Sequence, residues 1–259
     1  MNSDRILQIE NITKVYGKGN STTEALKGIS FDVLAGEFLG IMGASGSGKT
    51  TLLNCIATMT RPTSGKILLK SKDLHNLKDS KLADYRGKEI GYLFQEFKLL
   101  DNLTAKENII LPLSLHNISE NQAAKDLQKL TEQLDIGTVM NKFPSQMSGG
   151  QKQRVAAARA LISNPSVVLA DEPTGALDSK NSKVLLDKLS RINREQEKTI
   201  IMVTHDANAA SYCSRILFIQ DGHLFHELRK KTKSESAEEF YKRIVTVIAQ
   251  LGGGSANVL

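Results

Sequence analysis

Residues Gly43-Ala44-Ser45-Gly46-Ser47-Gly48-Lys49-Thr50 fill every fixed position of a GxxxxGK[ST] loop. Glycines at this spacing let successive backbone N–H groups turn inward on an anion, and a following helix adds its positive end. Lys49 supplies a point charge for outer phosphates, and the Thr50 hydroxyl is placed to ligate Mg²⁺. The apolar run Phe38-Leu39-Gly40-Ile41-Met42 precedes the loop, and Thr51-Leu52-Leu53-Asn54-Cys55-Ile56 continues it with helical character. Strand, loop and helix in that order indicate a nucleoside triphosphate site.

Further residues suit the same chemistry. Asp171 and Glu172 end the apolar run Val167-Val168-Leu169-Ala170, and a buried parallel strand delivers its last side chains to the crevice where ligands sit. Asp171 is then suited to hold Mg²⁺ through a water, and Glu172 to polarise the water that attacks a γ-phosphate. Thr204-His205-Asp206 follows the run Thr199 to Val203. A histidine there could touch the γ-phosphate and the attacking water, or serve only as a loop residue. Gln95 follows Tyr92-Leu93-Phe94, where its amide could reach metal or water, or cap a turn. Ser148-Gly149-Gly150-Gln151 precedes Lys152 to Arg159, a strong helix former. Ser148 is a good N-cap, and the glycines let a phosphate approach the exposed N–H groups. A second anion-binding helix start beside a single phosphate loop makes sense if two copies face each other, each completing the other's site.

The elements that must position these residues alternate. Strand candidates are Leu7-Gln8-Ile9 with Ile12, Ile29 to Val33, Lys66 to Leu69, Ile90 to Phe94, Val167 to Ala170, Ile200 to Val203 and Ile216 to Ile219. From Ala105 to about Leu161 the period becomes helical, with Leu127, Leu130 and Leu134 on one face; Leu185, Leu186, Leu189 and Ile192 mark another helix. Apolar strands alternating with helices indicate an α/β chain with a parallel sheet covered on both sides, interrupted by a helical insertion. Ser236 to Leu251 reads as a last helix, with a Ser236/Glu239 capping box and Phe240, Ile244, Val247, Ile248 and Leu251 on one face, a stripe expected to pack on its own domain.

Composition narrows the class. The 259 residues suffice for one large domain with an inserted subdomain, and 40% hydrophobic with 24% charged is an ordinary globular balance. A net charge of +6 permits an anionic partner without demanding one, and the densest basic cluster, Arg229-Lys230-Lys231 with Lys233, reads as a solvated linker. No apolar run approaches the ~20 residues of a membrane span, and Met1-Asn2-Ser3-Asp4-Arg5 has no signal-peptide core. Cys55 and Cys213 lack metal-site or redox spacing, which points to a reduced cytosolic setting. The glycine run Gly252-Gly253-Gly254 is the one low-complexity stretch. A soluble chain is expected, with any membrane role coming through a partner.

The ordered set of motifs resembles the nucleotide-binding subunit of an ATP-binding-cassette (ABC) transporter over roughly residues 5 to 228. In that resemblance Gly43 to Thr50, with Thr51, is the Walker A loop, Val167 to Asp171 the Walker B strand, and Ser148-Gly149-Gly150-Gln151 the signature. Gln95 is the Q-loop residue and a metal ligand with Thr50 and Asp171, Ala176-Leu177-Asp178 the D-loop, His205 the switch histidine, and Tyr16 the aromatic that stacks on adenine. The resemblance implies a RecA-like parallel-sheet core with an N-terminal antiparallel β subdomain. It also implies a nucleotide-binding domain over 1–230, a helical subdomain at about 96–163 and a C-terminal extension over 231–259. ATP and Mg²⁺ would be the cofactors, with Lys49, Glu172 and His205 catalytic in a homodimer that drives a permease from the cytoplasmic face of the membrane, without nucleic acid. Met147 and Gly175 depart from the common pattern, Met147 standing for leucine and Gly175 for serine or asparagine.

A narrower likeness is also visible. Phe94-Gln95-Glu96-Phe97-Lys98-Leu99-Leu100, Leu103-Thr104 and Glu107-Asn108-Ile109 are similar to the MacB-type branch, whose permeases work by mechanotransmission. Ile41 to Thr51, Asp171 to Ser179 and Ala209-Ala210-Ser211-Tyr212-Cys213 resemble the Bce-type subgroup. That subgroup drives permeases of about ten spans that protect against bacitracin- or lantibiotic-like peptide antibiotics, commonly signalling to a sensor histidine kinase. Other readings stay open from sequence: a MacB-type ATPase for lipoprotein or other cargo, an ATP-gated regulator of a cell-wall enzyme, and a soluble cassette ATPase acting on ribosomes or DNA. The last usually joins two cassettes or carries a coiled-coil insertion, and this chain has one cassette and no heptad run.

Overall fold

The computed structural model describes residues 5–18, 21–114, 120–232 and 234–252. Met1 to Asp4, Lys233, Gly253 and Gly254 lie outside them, as does the side chain of Leu251. The chain opens with β1 (Arg5–Lys18) and β2 (Ser21–Leu34), a long antiparallel pair with several register shifts. Both run well beyond the short apolar runs that announce them. Their outer halves are polar and solvated, so only the inner halves carry the alternation that sequence reading detects.

Next come β3 (Phe38–Met42), α1 (Lys49–Ile56), β4 (Ser64–Leu69), β5 (Lys72–Asp73), α2 (Asp79–Glu89) and β6 (Ile90–Leu93). Between β6 and the next strand lie three helices, α3 (Ala105–Ser114), α4 (Glu120–Leu134) and α5 (Gly149–Leu161). The chain then alternates through β7 (Val167–Asp171), α6 (Ser179–Gln196), β8 (Ile200–Val203), α7 (Ala207–Ala210), β9 (Arg215–Gln220), β10 (His223–Arg229) and α8 (Ala237–Gly252).

Two sheets result. The first is antiparallel in the order β2-β1-β4-β5, and the second runs β10-β9-β3-β8-β7-β6, parallel except for its β10 edge. The central strands alternate strictly between two cores. Phe38, Met42, Val168, Ala170, Ile200, Met202, Ile216 and Phe218 face the helices, while Leu39, Ile41, Leu169, Ile201, Val203, Leu217 and Ile219 face α1 and the antiparallel sheet. A strand buried on both faces must read as a continuous apolar run, which is how these four strands read. On α6, Leu185, Leu186, Leu189 and Ile192 are all buried, each contributing about 1.5–3 kcal/mol of transfer free energy.

The last helix packs by the first part of its stripe. Ser236 and Glu239 exchange the capping-box hydrogen bonds, Phe240 and Ile244 enter the core, and Val247 packs against it. Ile248 stays 38% exposed. The basic residues before α8 are less free than a solvated linker: Lys230 lies over the Phe240 ring, and Arg229 pairs with Glu227.

Candidate active site

β3 sits between β8 and β9, so the phosphate loop leaves the middle of the parallel sheet, with Asp171 and Thr204 at neighbouring strand ends. Gly48 caps α1 at φ 103°, a left-handed backbone, and a Cβ there would strike the Ala25 carbonyl. Only glycine turns the loop this tightly into the helix. Behind the turn Lys49 is buried, its Nζ donating to the Gly43 and Ala44 carbonyls at 2.8 Å each. Burial lowers the Lys49 pKa, while the nearby Glu172 and Asp171 charges pull it back up. The buried Ser47 hydroxyl makes no hydrogen bond among the described residues.

Two carboxylates face this lysine from β7. Asp171 receives weak contacts at 3.4 Å from the Thr50 hydroxyl and from the Tyr92 phenol. Burial pushes the Asp171 carboxyl up against the hydrogen bonds from Tyr92 and Thr50, and the Glu172 charge adds to the rise. Tyr92 was missed in the sequence, where it reads only as a strand residue. Its phenol also lies 3.4 Å from Asn54 on α1, and one proton cannot serve both oxygens at once. Burial beside Asp171 raises the Tyr92 phenol far above its ordinary value.

Glu172 stands at φ 44°, rare for a residue with a side chain. Its N–H donates to the Val203 carbonyl at 2.9 Å, and its carbonyl accepts from Gly175 N–H at 2.9 Å. These bonds hold the strained turn, and the carboxylate reaches His205 Nδ1 at 3.0 Å. Ser45, Lys49, Thr50, Glu172 and His205 line one cavity of about 470 Å³, together with Ala25. The hydroxyl of Thr50, the carboxylate of Asp171, the cationic Lys49 and the spare Ser47 hydroxyl make a donor set that fits a nucleotide phosphate with a hard divalent cation. No cluster of three or more His, Cys, Asp or Glu among the described residues forms a separate metal cage.

The other expected site residues lie off this wall. Tyr16, 43% exposed on β1, carries Lys14 Nζ 5.0 Å from its ring centre. Gln95 is exposed and lies over Gly175, its Nε2 2.8 Å from where a Cβ would stand. Asp178 caps α6, accepting the Asn181 N–H at 2.8 Å. Ser148 caps α5: its hydroxyl accepts Gln151 N–H at 3.3 Å, and its own N–H donates to the Gln151 side chain at 2.9 Å. Gly150 has an internal reason to be glycine, because a Cβ would collide with the Asn181 side chain. The sequence reading assigned both signature glycines to phosphate approach; at Gly150 the α5–α6 packing already demands it.

Comparison with known proteins identifies the family. The ABC transporter family model matches residues 26–175. The bacitracin export ATP-binding protein BceA of Halalkalibacterium halodurans is 48% identical over 248 residues, covering 96% of this chain and 97% of its own. The ABC transporter ATP-binding protein YxdL of Bacillus subtilis is 47% identical over 250 residues, covering 96% of each chain. A dimeric, post-hydrolysis structure of the ATP-binding cassette MJ0796 bound to ADP and Pi superimposes with a TM-score of 0.80 at 39% identity, covering 87% of this chain and 99% of that one. No helix among the described residues is long and apolar enough to cross a membrane. This chain belongs to the ABC transporter family, as one of its ATP-hydrolysing subunits.

Proposed function

We propose that this chain, as a homodimer, powers a membrane permease that protects against peptide antibiotics of the bacitracin or lantibiotic kind. The observation that carries the hydrolytic half is the convergence of Lys49, Thr50, Glu172 and His205 on one cavity, with Glu172 and His205 in hydrogen-bond contact. Lys49 and the loop amides bind the phosphates. Glu172 takes a proton from the attacking water, and His205 orients Glu172 and contacts the γ-phosphate. Thr50, Asp171 and Gln95 would hold Mg²⁺, which offsets phosphate charge when bound. Tyr16 stacks on adenine. Ser148, Gly149 and Gln151 lie off the wall they would complete, which supports their acting on the nucleotide of a second copy, with Asp178 beside them. The bacitracin-export relative, aligned over nearly the whole chain, supports the substrate class.

In this reading residues 1–230 form the nucleotide-binding domain, 96–163 move as its helical subdomain, and 231–259 form an extension. The permease holds the subunit at the cytoplasmic face of the membrane and relays substrate encounter to a sensor kinase. Glu172→Gln should retain ATP binding, lose about 10²–10⁴ of turnover and trap a dimer on size exclusion with ATP. Co-expressed with a Bce-type permease, the same variant should also abolish bacitracin resistance. Undiminished steady-state hydrolysis would remove Glu172 from its role; resistance unaffected by a dead ATPase would remove the substrate class.

A further inference from the structure

Helix α5 carries two polar side chains that point away from its N-terminal motif and grip other parts of the chain. Gln153 is fully buried, and its Nε2 donates to the Phe94 carbonyl at 3.1 Å and to the Pro173 carbonyl at 2.7 Å. Phe94 immediately precedes Gln95, and Pro173 immediately follows Glu172. The Gln153 Oε1 finds no partner among the described residues, so the orientation of the amide is set by its two donor bonds. Further along the helix, the Arg159 guanidinium donates to the Phe97 carbonyl at 2.8 Å and to the Lys98 carbonyl. Phe97 and Lys98 both stand in the left-handed region, at φ 54° and 48°. Two such residues in succession are costly and persist only where the surroundings impose them. The segment 94–98 is thus fastened at both ends to one helix, with Gln95 exposed between the anchors.

We propose that Gln153 and Arg159 are positioning residues that fix the Gln95 segment against Glu172, making α5 the rule by which the two are spaced. The two N–H bonds of an amide nitrogen diverge at a fixed angle from a planar group. Phe94 and Pro173 therefore cannot separate by more than a few tenths of an ångström without breaking one bond, since such bonds weaken steeply with misalignment. A shift of the Gln95 segment is passed to the Glu172 turn, and to the helix start at Ser148, through one rigid element. This rests on the hydrolytic reading of Gln95 and Glu172.

Gln153→Met keeps the volume and removes both donors, while Arg159→Lys keeps the charge and removes the planar fork. In the purified full chain, each should lower kcat 10- to 100-fold while binding of a fluorescent ATP analogue and KM stay within threefold. Val155→Ala, buried on the same helix, supplies the stability control: a comparable fall in Tm with kcat within twofold. The proposal is overturned if Gln153→Met and Arg159→Lys lose no more kcat than Val155→Ala, or lose nucleotide affinity in step with kcat. If Gln153→Met does not fold, Arg159→Lys with Gln153→Asn decides by the same split. An active Glu172→Gln would mark failure of the underlying reading; an inactive one beside an unimpaired Gln153→Met would mark failure of this proposal alone.

Discussion

Lys49 shows how much a single side chain settles here. Its ammonium is buried and holds two loop carbonyls at 2.8 Å, with Glu172 and Asp171 close enough to offset part of the cost of burial. A charged hydrogen bond contributes about 1.5–3 kcal/mol. Lys49→Ala should therefore weaken ATP binding about 10- to 100-fold in a fluorescence titration, and an unchanged affinity would contradict its placement. The chemistry at this scale was legible because its residues are contiguous: Gly43 to Thr50 is one uninterrupted motif, and Asp171-Glu172 ends one strand. Tyr92, Gln153 and Arg159 were not, because each acts on a partner dozens of residues away and leaves no local pattern.

Among the elements, α2 and β10 escaped the sequence reading for related reasons. α2 carries few apolar residues, so its helical period is faint, and β10 is an edge strand whose exposed positions include Phe225 and both histidines. Leu82 is buried in the core and Tyr85 packs against it, and polar contacts fasten the end of α2. Glu89 at its end receives Lys70 Nζ at 2.7 Å and the Ser166 hydroxyl, while its carbonyl accepts Ser166 N–H at 3.0 Å. Burial pushes the Glu89 carboxyl up, but the bonds from Lys70 and Ser166 outweigh it and leave it below its ordinary value. A depressed carboxylate stabilises the fold above the unfolded value, about 4.3, and that contribution fades as pH falls through the lower folded value. Urea midpoints should show Glu89→Gln less stable than the parent at pH 7, with the gap narrowing from about pH 5 to pH 3. A constant gap would assign the loss to packing.

For the whole molecule, one buried cation joins the two sheets. Arg215 on β9 is 5% exposed, bonds Glu37 at 2.6 and 3.1 Å, reaches Glu227 on β10 at 3.3 Å and donates to the Asp32 carbonyl on β2. Removing one member of a buried pair strands the other. Arg215→Met should cost about 3–5 kcal/mol, and adding Glu37→Leu should recover much of it; simple additivity in a double-mutant cycle would refute the coupling. This junction lay beyond sequence reading, since Arg215 heads a run that is otherwise apolar. The stacking of the layers was legible only in outline, from strands alternating with helices.

The strict two-sidedness of β7 carries a consequence for length variation. Val167 to Ala170 are greasy on both sides, so sliding the strand by one station would hide nearly as much oil as before. What such a slip would ruin is the terminus: opposite Val203, Glu172 would replace Asp171, and Asp171 would be drawn into the place of Ala170 opposite Met202. A one-codon deletion there should therefore silence the ATPase well before it unravels the protein, leaving insertions and deletions to the connecting loops.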